Sequence, residues 1–183
     1  EVHADLLARW AEFQGPRVHG VAASSCKLEV ASNWKLAVEN YCESYHLPWV
    51  HPGLNSYSRL EDHYNIEKAG EYSGQGTLVY RQLQGDDGAT FPDFGDHSEQ
   101  WEEGAEYIAV YPNVLLGIHR DHYFAIVLEP KALGQTVEHV EIYYSQEGAS
   151  DPDLAALREA NAVQWKAVFV EDVFVVEGMQ KGR

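Results

Sequence analysis

The sequence predicts an α+β domain, and three observations lead to that class. A helical pattern starts after residue 33, strand patterns follow one another over residues 107–145, and a long helical pattern closes the chain. Such an order favours antiparallel strands with the long closing helix lying on the sheet. A chain of 183 residues is long enough for one domain with a substantial core. We therefore expect residues 1–183 to form a single domain.

The first half of the chain carries two helical patterns with a strand pattern between them. Residues 5–13 place apolar side chains at helical spacing, and residues 18–31 alternate weakly, as in a strand with Cys26, Leu28 and Val30 on one face. Ser32 or Asn33 can cap the second helix. Its predicted apolar face consists of Trp34, Ala37, Val38, Tyr41 and Tyr45.

The second half is dominated by strands. Residues 55–83 predict a polar loop followed by a strand near residues 76–83, and the Gly-rich, acidic residues 84–106 are typical of a long surface loop or a mobile lid. Segments 107–118, 122–130 and 136–145 have strand composition, and their short connections predict an antiparallel meander. A helix should then run to residue 182, capped by Ser150 or Asp151 with Pro152 near its start.

Charge and composition exclude several classes of partner. Lys and Arg number 13 against 29 Asp and Glu, which gives a formal net charge of −16. Nucleic acid and anionic membranes need clustered cations, so we expect neither as a partner. Two cysteines without a CxxC motif, no long apolar run and no signal peptide favour a soluble, cytoplasmic protein. The chain begins without Met and stops in a helical pattern, so we expect it to be a piece of a longer protein.

Two histidines, His46 and His51, flank a proline in the stretch "YHLPWVH". On an unbroken helix their side chains would point about 140° apart. Pro48 disfavours helical conformation at Leu47, so the helix should end near His46 and the chain should turn. Two imidazoles beside a helix end can then bind one metal ion. Taken alone, such a pair is more often structural than metal-binding.

The third ligand should be a distant carboxylate, since two imidazoles and one carboxylate on one face form the Fe(II) site of non-haem oxygenases. Asp172 is the candidate, because it lies in the apolar run "AVFVEDVFVVEG", where a charge is costly unless it is paired, exposed or bound to metal. Glu171 is the alternative, and an acidic pair on a helix is usually a solvated face. Six other histidines lack supporting spacing and are expected to be structural: His19, His63, His97, His119, His122 and His139.

Three segments resemble the large (alpha) subunits of Rieske non-haem iron ring-hydroxylating oxygenases. The segment "NWKLAVENYCESYHLPWVHPG" is similar to the family's iron-binding helix, "YPNVLLGIHRDHYFAIVLEP" to its core strands, and "VEDVFVVEGMQKG" to the helix that brings the third ligand. The resemblance covers roughly residues 28–182. It implies a helix-grip domain (START/Bet v 1-like), an antiparallel sheet around a long C-terminal helix, with mononuclear Fe(II) on His46, His51 and Asp172.

The resemblance also implies an electron path. Glu43 precedes His46 by one turn. At this position the family has an acidic residue that connects the iron-binding histidine to a cluster-binding histidine of the adjacent subunit in a trimer. A glutamate at this position resembles the branch of the family that acts on carnitine and glycine betaine. The family's Rieske [2Fe–2S] cluster needs C-x-H and C-x-x-H motifs, which this chain lacks. We therefore expect the cluster domain N-terminal to Glu1. The implied partners are a small-molecule substrate, O₂, a reductase or ferredoxin, and further subunits of a homotrimer or an α3β3 assembly.

The predicted function is O₂ activation at Fe(II) followed by mono- or dioxygenation, or oxidative demethylation, of a small organic substrate. Without a Rieske domain the chain would be inactive alone. The alternative is a non-catalytic module of the same fold that binds hydrophobic ligands. A third possibility is a hydrolase with zinc in the same three residues.

Overall fold

The computed structural model describes residues 3–15 and 17–183, and its largest feature is an antiparallel sheet of eight strands. The strands are β1 (His19–Gly20), β2 (Cys26–Val30), β3 (His63–Lys68), β4 (Tyr72–Thr77), β5 (Ala105–Val110), β6 (Val114–Ile118), β7 (His122–Ala132) and β8 (Gln135–Tyr144). Their order in the sheet is β1-β8-β7-β6-β5-β4-β3, and β2 also pairs with β8. The helices are α1 (Ala4–Arg9), α2 (Trp34–Tyr41), α3 (Leu47–Val50), α4 (Pro52–Asn55), α5 (Glu99–Glu103), α6 (Gln146–Ser150) and α7 (Ala155–Gly182).

The predicted meander is confirmed, because β5 to β8 pair consecutively with antiparallel neighbours. Segment 107–118 is two strands rather than one, with a turn at residues 111–113 between β5 and β6. On β2, Leu28 and Val30 are buried and Cys26 is partly buried while the intervening side chains are exposed, so the predicted face of that strand is also confirmed.

Helix α7 lies on the sheet and supplies one side of the main core. Its buried side chains recur at helical spacing and form one stripe: Leu157, Asn161, Trp165, Phe169 and Val176. They pack against inward-facing residues of β7 and β8 such as Phe124 and Ile142. Burying an apolar side chain of this size contributes roughly 1.5–3 kcal/mol, so the stripe fixes the rotation of α7 about its axis. In the described ranges no helix is long and apolar enough to span a membrane.

The strand predicted near residues 76–83 is wrong in position. Strand β4 ends at Thr77, and its hairpin partner β3 falls in the segment predicted as a polar loop. The reason is that β4 contains Gly74 and Gly76, which have low strand propensity. A side chain at Gly74 would overlap the backbone of β5, and one at Gly76 would overlap the ring of Tyr64. Close packing, rather than propensity, selects these glycines.

Residues 84–106 are less exposed than the sequence predicts. Phe91, Phe94 and Trp101 are only 2%, 8% and 3% exposed. Phe91 packs into the main core, and the other two rings pack into a second hydrophobic cluster, which includes Trp10 and Ile108. The prediction of a surface loop is therefore wrong for these rings. The prediction that Tyr45 belongs to the apolar face of the second helix is also wrong, because this residue is 67% exposed.

Candidate metal centre

A break in the helices places His46 and His51 on the two sides of one short turn. Helix α2 ends at Tyr41, earlier than predicted, and Pro48 lies in the first turn of α3 instead of terminating a helix. Proline is tolerated there because a first-turn N–H has no intrahelical partner. His46 precedes α3, and His51 follows it with φ −118° and ψ 63°. The two ring centroids are 5.1 Å apart.

The structure brings Asp172 of α7 against both imidazoles. Its Oδ1 lies 3.0 Å from His51 Nε2 and 3.6 Å from His46 Nε2. One ligand atom from each of the three residues lies within 4.8 Å of the other two. The predicted convergence of a histidine pair and a remote carboxylate is thus present in the fold.

Glu171 contacts the opposite edge of the same imidazole. Its Oε2 lies 2.7 Å from His51 Nδ1, so it is directed away from the Nε2 atoms that converge with Asp172. Adjacent residues on a helix point about 100° apart, which lets neighbouring carboxylates reach two edges of one ring. Of the two carboxylates, Asp172 and not Glu171 therefore faces both Nε2 atoms.

Each histidine is held through its other ring nitrogen by a glutamate. His46 Nδ1 lies 2.6 Å from Glu43 Oε1, and His51 Nδ1 lies 2.7 Å from Glu171 Oε2. When Nδ1–H donates to a carboxylate, the neutral ring presents the lone pair of Nε2, which is the form that binds metal. Asn40 donates to Asp172 Oδ1 at 2.9 Å and orients that carboxylate. Sequence reasoning placed Glu43 beside His46 but missed the role of Asn40.

The carboxylates around the centre stabilise positive charge on or near the two imidazoles. Burial acts to raise the pKa of Glu43, but hydrogen bonds from His46 and from the backbone N–H of Tyr45 outweigh it, so the pKa lies below its ordinary value. Burial acts to lower the pKa of His51, yet Asp172 and Glu171 outweigh it and the pKa is raised. Negative potential at these rings therefore attracts a cation, whether a proton or a metal ion.

The centre opens into a cavity that is partly open to solvent. His46, His51 and Asp172 line one part of it, and side chains from α2, α3, α4, the sheet, α7 and the segments between them line the rest. The aromatic side chains among them are Tyr41, Tyr57, Tyr80, Tyr107, Phe124, Trp165 and Phe169. A cavity with a few polar groups among largely apolar and aromatic walls is the kind of site that binds a small organic ligand.

A buried polar network supports the inner end of this cavity. Trp165 Nε1 donates to His122 Nε2 at 2.7 Å, and His122 Nδ1 lies 2.9 Å from Asp121 Oδ1, which also accepts from the hydroxyl of Tyr80. Burial acts to raise the pKa of Asp121, but His122 outweighs it and the pKa is lowered. Both nitrogens of His122 are engaged, so this ring positions cavity walls instead of binding metal.

Two of the histidines expected to be structural line the cavity, namely His63 and His122. His63 Nδ1 lies 2.7 Å from Gln75 Oε1, and its Nε2 lies 3.0 Å from the hydroxyl of Ser58. Hydrogen bonds on both nitrogens fit a structural role next to the metal centre. Both residues are separated in sequence from His46 and His51, so the sequence alone did not show that they lie near those histidines in the fold.

Comparison with known proteins identifies relatives over most of the chain. The model of the family described as ring hydroxylating alpha subunit (catalytic domain) matches residues 8–183. Putrescine 2-hydroxylase of Ralstonia nicotianae is 28% identical over 183 residues, covering 97% of this chain and 48% of that protein. The carnitine monooxygenase oxygenase subunit of Escherichia coli K12 is 25% identical, covering 91% and 42%. The chain thus spans less than half the length of these relatives.

Solved structures share the fold at low identity. A quaternary ammonium Rieske monooxygenase in complex with an inhibitor matches with a TM-score of 0.66 and 19% identity, covering 90% of this chain and 39% of that one. Naphthalene 1,2-dioxygenase from Rhodococcus sp., bound to indole, matches with a TM-score of 0.65 and 12% identity, covering 96% and 48%. The sheet wrapped around a long C-terminal helix is therefore a known architecture, as the sequence predicted.

Proposed function

Because the chain belongs to the ring hydroxylating alpha subunit family, as a catalytic domain, we propose that His46, His51 and Asp172 bind one Fe(II) ion. The proposed reaction is hydroxylation of a small organic substrate with O₂. The observation that carries this proposal is the convergence of two Nε2 atoms and one carboxylate oxygen within 4.8 Å at the wall of the cavity. The oxygenase names of the curated relatives support the same reaction class.

The donor set fits Fe(II) better than the alternatives. Two neutral imidazoles and one carboxylate on one face leave coordination positions open, which O₂ chemistry requires. An iron ion held there would supply reductive activation of O₂. A carrier of hydrophobic ligands would not need two histidines with fixed tautomers, so the geometry disfavours the non-catalytic alternative.

The remaining residues position the ligands and the substrate. Glu43 and Glu171 hold the imidazoles at Nδ1, and Asn40 holds the carboxylate of Asp172. Partners of this kind orient ligands and increase their basicity. The aromatic wall excludes water from the reacting end of the cavity and packs against the substrate.

For Glu43 we propose a second role, as the path by which electrons arrive. Its side chain is 34% exposed while its Oε1 contacts His46, so one residue connects the surface with a proposed ligand. The electron source would be a Rieske [2Fe–2S] cluster outside these 183 residues, expected in an N-terminal domain and reaching Glu43 from a neighbouring subunit of a trimer. A reductase or ferredoxin would supply that cluster.

Iron content tests the ligand assignment. The chain is loaded with Fe(II) without oxygen, and bound iron is measured together with far-UV circular dichroism. We expect about one ion per chain, lost in His51→Ala with the spectrum unchanged, because the variant lacks one of three ligands. His139→Ala is the control, since His139 bonds Glu129 outside the cavity. Full iron in His51→Ala would refute the assignment.

The reaction class needs a second experiment. In the presence of an electron donor, reduction-dependent O₂ consumption separates an oxygenase from a zinc hydrolase. Glu43→Gln should keep its iron but lose O₂ consumption that depends on the cluster-containing partner. Unchanged coupled turnover in Glu43→Gln would contradict the proposed electron path while leaving the iron site intact.

A further inference from the structure

Arg81 lies where the cavity of the metal centre meets a wider groove. The cavity and the groove, called here the two openings, share six lining side chains: Leu54, Tyr57, Arg81, Leu83, Gln164 and Val168. In the part of the chain that the structure describes, Arg81 is the one Lys or Arg that lines either opening. A ligand that enters the cavity therefore passes a single fixed cation.

The guanidinium of Arg81 has no anionic partner among residues 3–15 and 17–183. It lies over the ring of Tyr57, with Cζ 5.4 Å from the ring centroid. The other arginines line neither the cavity nor the groove. All of them except Arg17 are bonded to carboxylates or backbone carbonyls: Arg9, Arg59, Arg120, Arg158 and Arg183. Although the chain has 29 acidic and 13 basic residues, no carboxylate of the described residues neutralises Arg81 at the place where the cavity meets the groove.

An arginine stacked on a ring keeps its N–H edge available. That edge matches the two oxygens of a carboxylate and binds them in a bidentate manner. Gln164, on α7, lines the same two openings, and its side-chain amide makes no hydrogen bond to the described residues. The mouth of the cavity therefore offers cationic and neutral N–H donors together.

The cavity and the groove offer few free carboxylates that could bind a positively charged group of a ligand. The acidic side chain that lines it is Asp172, a proposed metal ligand, and Glu171 in the groove is engaged by His51. A diamine would have to share these carboxylates with the metal centre. By contrast, a carboxylate at Arg81 leaves its carbon chain to pack on Leu54, Leu83 and the aromatic wall.

We propose that the substrate is a small carboxylic acid whose carboxylate binds Arg81 at the mouth and whose oxidisable carbon points towards His46, His51 and Asp172. The inference rests on the proposed function and names the substrate class of that site. Arg81 has the role of a specificity-determining residue. Since Arg81 is not among the three residues whose ligand atoms converge, its removal should leave iron content unchanged.

Two matched probe pairs test the charge that the site selects. Carnitine is compared with its methyl ester, and 4-aminobutanoate with putrescine, by calorimetric titration of the iron-loaded chain. We expect each carboxylate to bind at least about tenfold more tightly than its partner, a difference of about 1.4 kcal/mol. Arg81→Gln should weaken carboxylate binding by about tenfold or more and remove the preference. Arg81→Lys should restore part of it.

Arg17→Gln is the control, because it removes the same charge from another exposed arginine outside both openings. It should change no affinity. Equal binding within each pair, tighter binding of putrescine, unaltered carboxylate affinity in Arg81→Gln, or failure of both carboxylates to bind would overturn the inference. Iron measured in the same samples reports the proposed function separately: iron-free wild type refutes that function, while the Arg81 effect on binding is read in its own titration.

Discussion

Glu138 gives the chain a stability that depends on pH. This residue of β8 is 8% exposed, it lies on the same strand face as Val140 and Ile142, and its carboxyl makes no hydrogen bond to the described residues. Burial, aided by the negative charge of Asp172, raises its pKa from 4.5 to about 7. The deprotonated form is therefore disfavoured in the folded state.

The direction and size of the effect follow from linkage. The folded pKa lies above the unfolded one, so the stability that protonated Glu138 allows is fully present below pH 4.5 and is lost as the pH rises through about 7. At about 1.4 kcal/mol per pKa unit, the shift amounts to about 3 kcal/mol. Glu138→Gln keeps the shape and removes the charge. We expect it to raise the free energy of unfolding by up to about 3 kcal/mol at pH 8 and by little near pH 4.

Urea denaturation between pH 4 and pH 8.5, followed by circular dichroism, measures this difference. Glu141→Gln is the matched control, because Glu141 lies on the same strand and is exposed. We expect that control to show no comparable dependence on pH. An equal effect of Glu138→Gln at every pH would show that the carboxyl is not protonated in the folded chain, and the reasoning from burial would fail.

Three further changes test the packing that supports the site. Gly74→Ala places a methyl group against the backbone of β5 and should cost about 1–3 kcal/mol, measured as a lower urea midpoint. Arg9→Met leaves the fully buried carboxylate of Glu106 without its cation and should lower the free energy of unfolding by about 3 kcal/mol at pH 7. Trp165→Phe removes the N–H that donates to His122 and should cost about 1–3 kcal/mol, with a lower midpoint again the readout.

Elements with strong periodicity could be predicted from the sequence. The buried stripe of α7 runs from Leu157 to Val176, about five turns of helix. The inward residues of β8 alternate along ten residues, so local pattern and tertiary burial agree in both elements. Strand β4 could not be predicted in place, since the glycines at 74 and 76 are explained only by the backbone and ring that they contact. The aromatic residues of segment 84–106 are buried by contacts with distant elements, which no local pattern shows.

The candidate site was predictable to a similar extent. His46 and His51 stand close in sequence, and Asp172 is conspicuous as a charge within an apolar run. The mechanism that brings the pair together was predicted incorrectly, because Pro48 begins a short helix instead of ending a long one. Asn40 gave no signal, since an amide on a helix acquires its role only when α7 packs beside it.

The rotation of α7 connects the core with the proposed metal centre. Phe169 and Val176 are buried against the sheet, and Asp172 lies between them on the same helix, three residues after the first and four before the second. Residues at these spacings share one face, so packing of the two apolar side chains directs Asp172 inward to His46 and His51. Glu171, about 100° around the helix, is left at the rim, where it reaches His51 Nδ1. The apolar core thereby decides which of two adjacent carboxylates faces both Nε2 atoms, as the proposed third ligand requires, and which one contacts His51 at Nδ1.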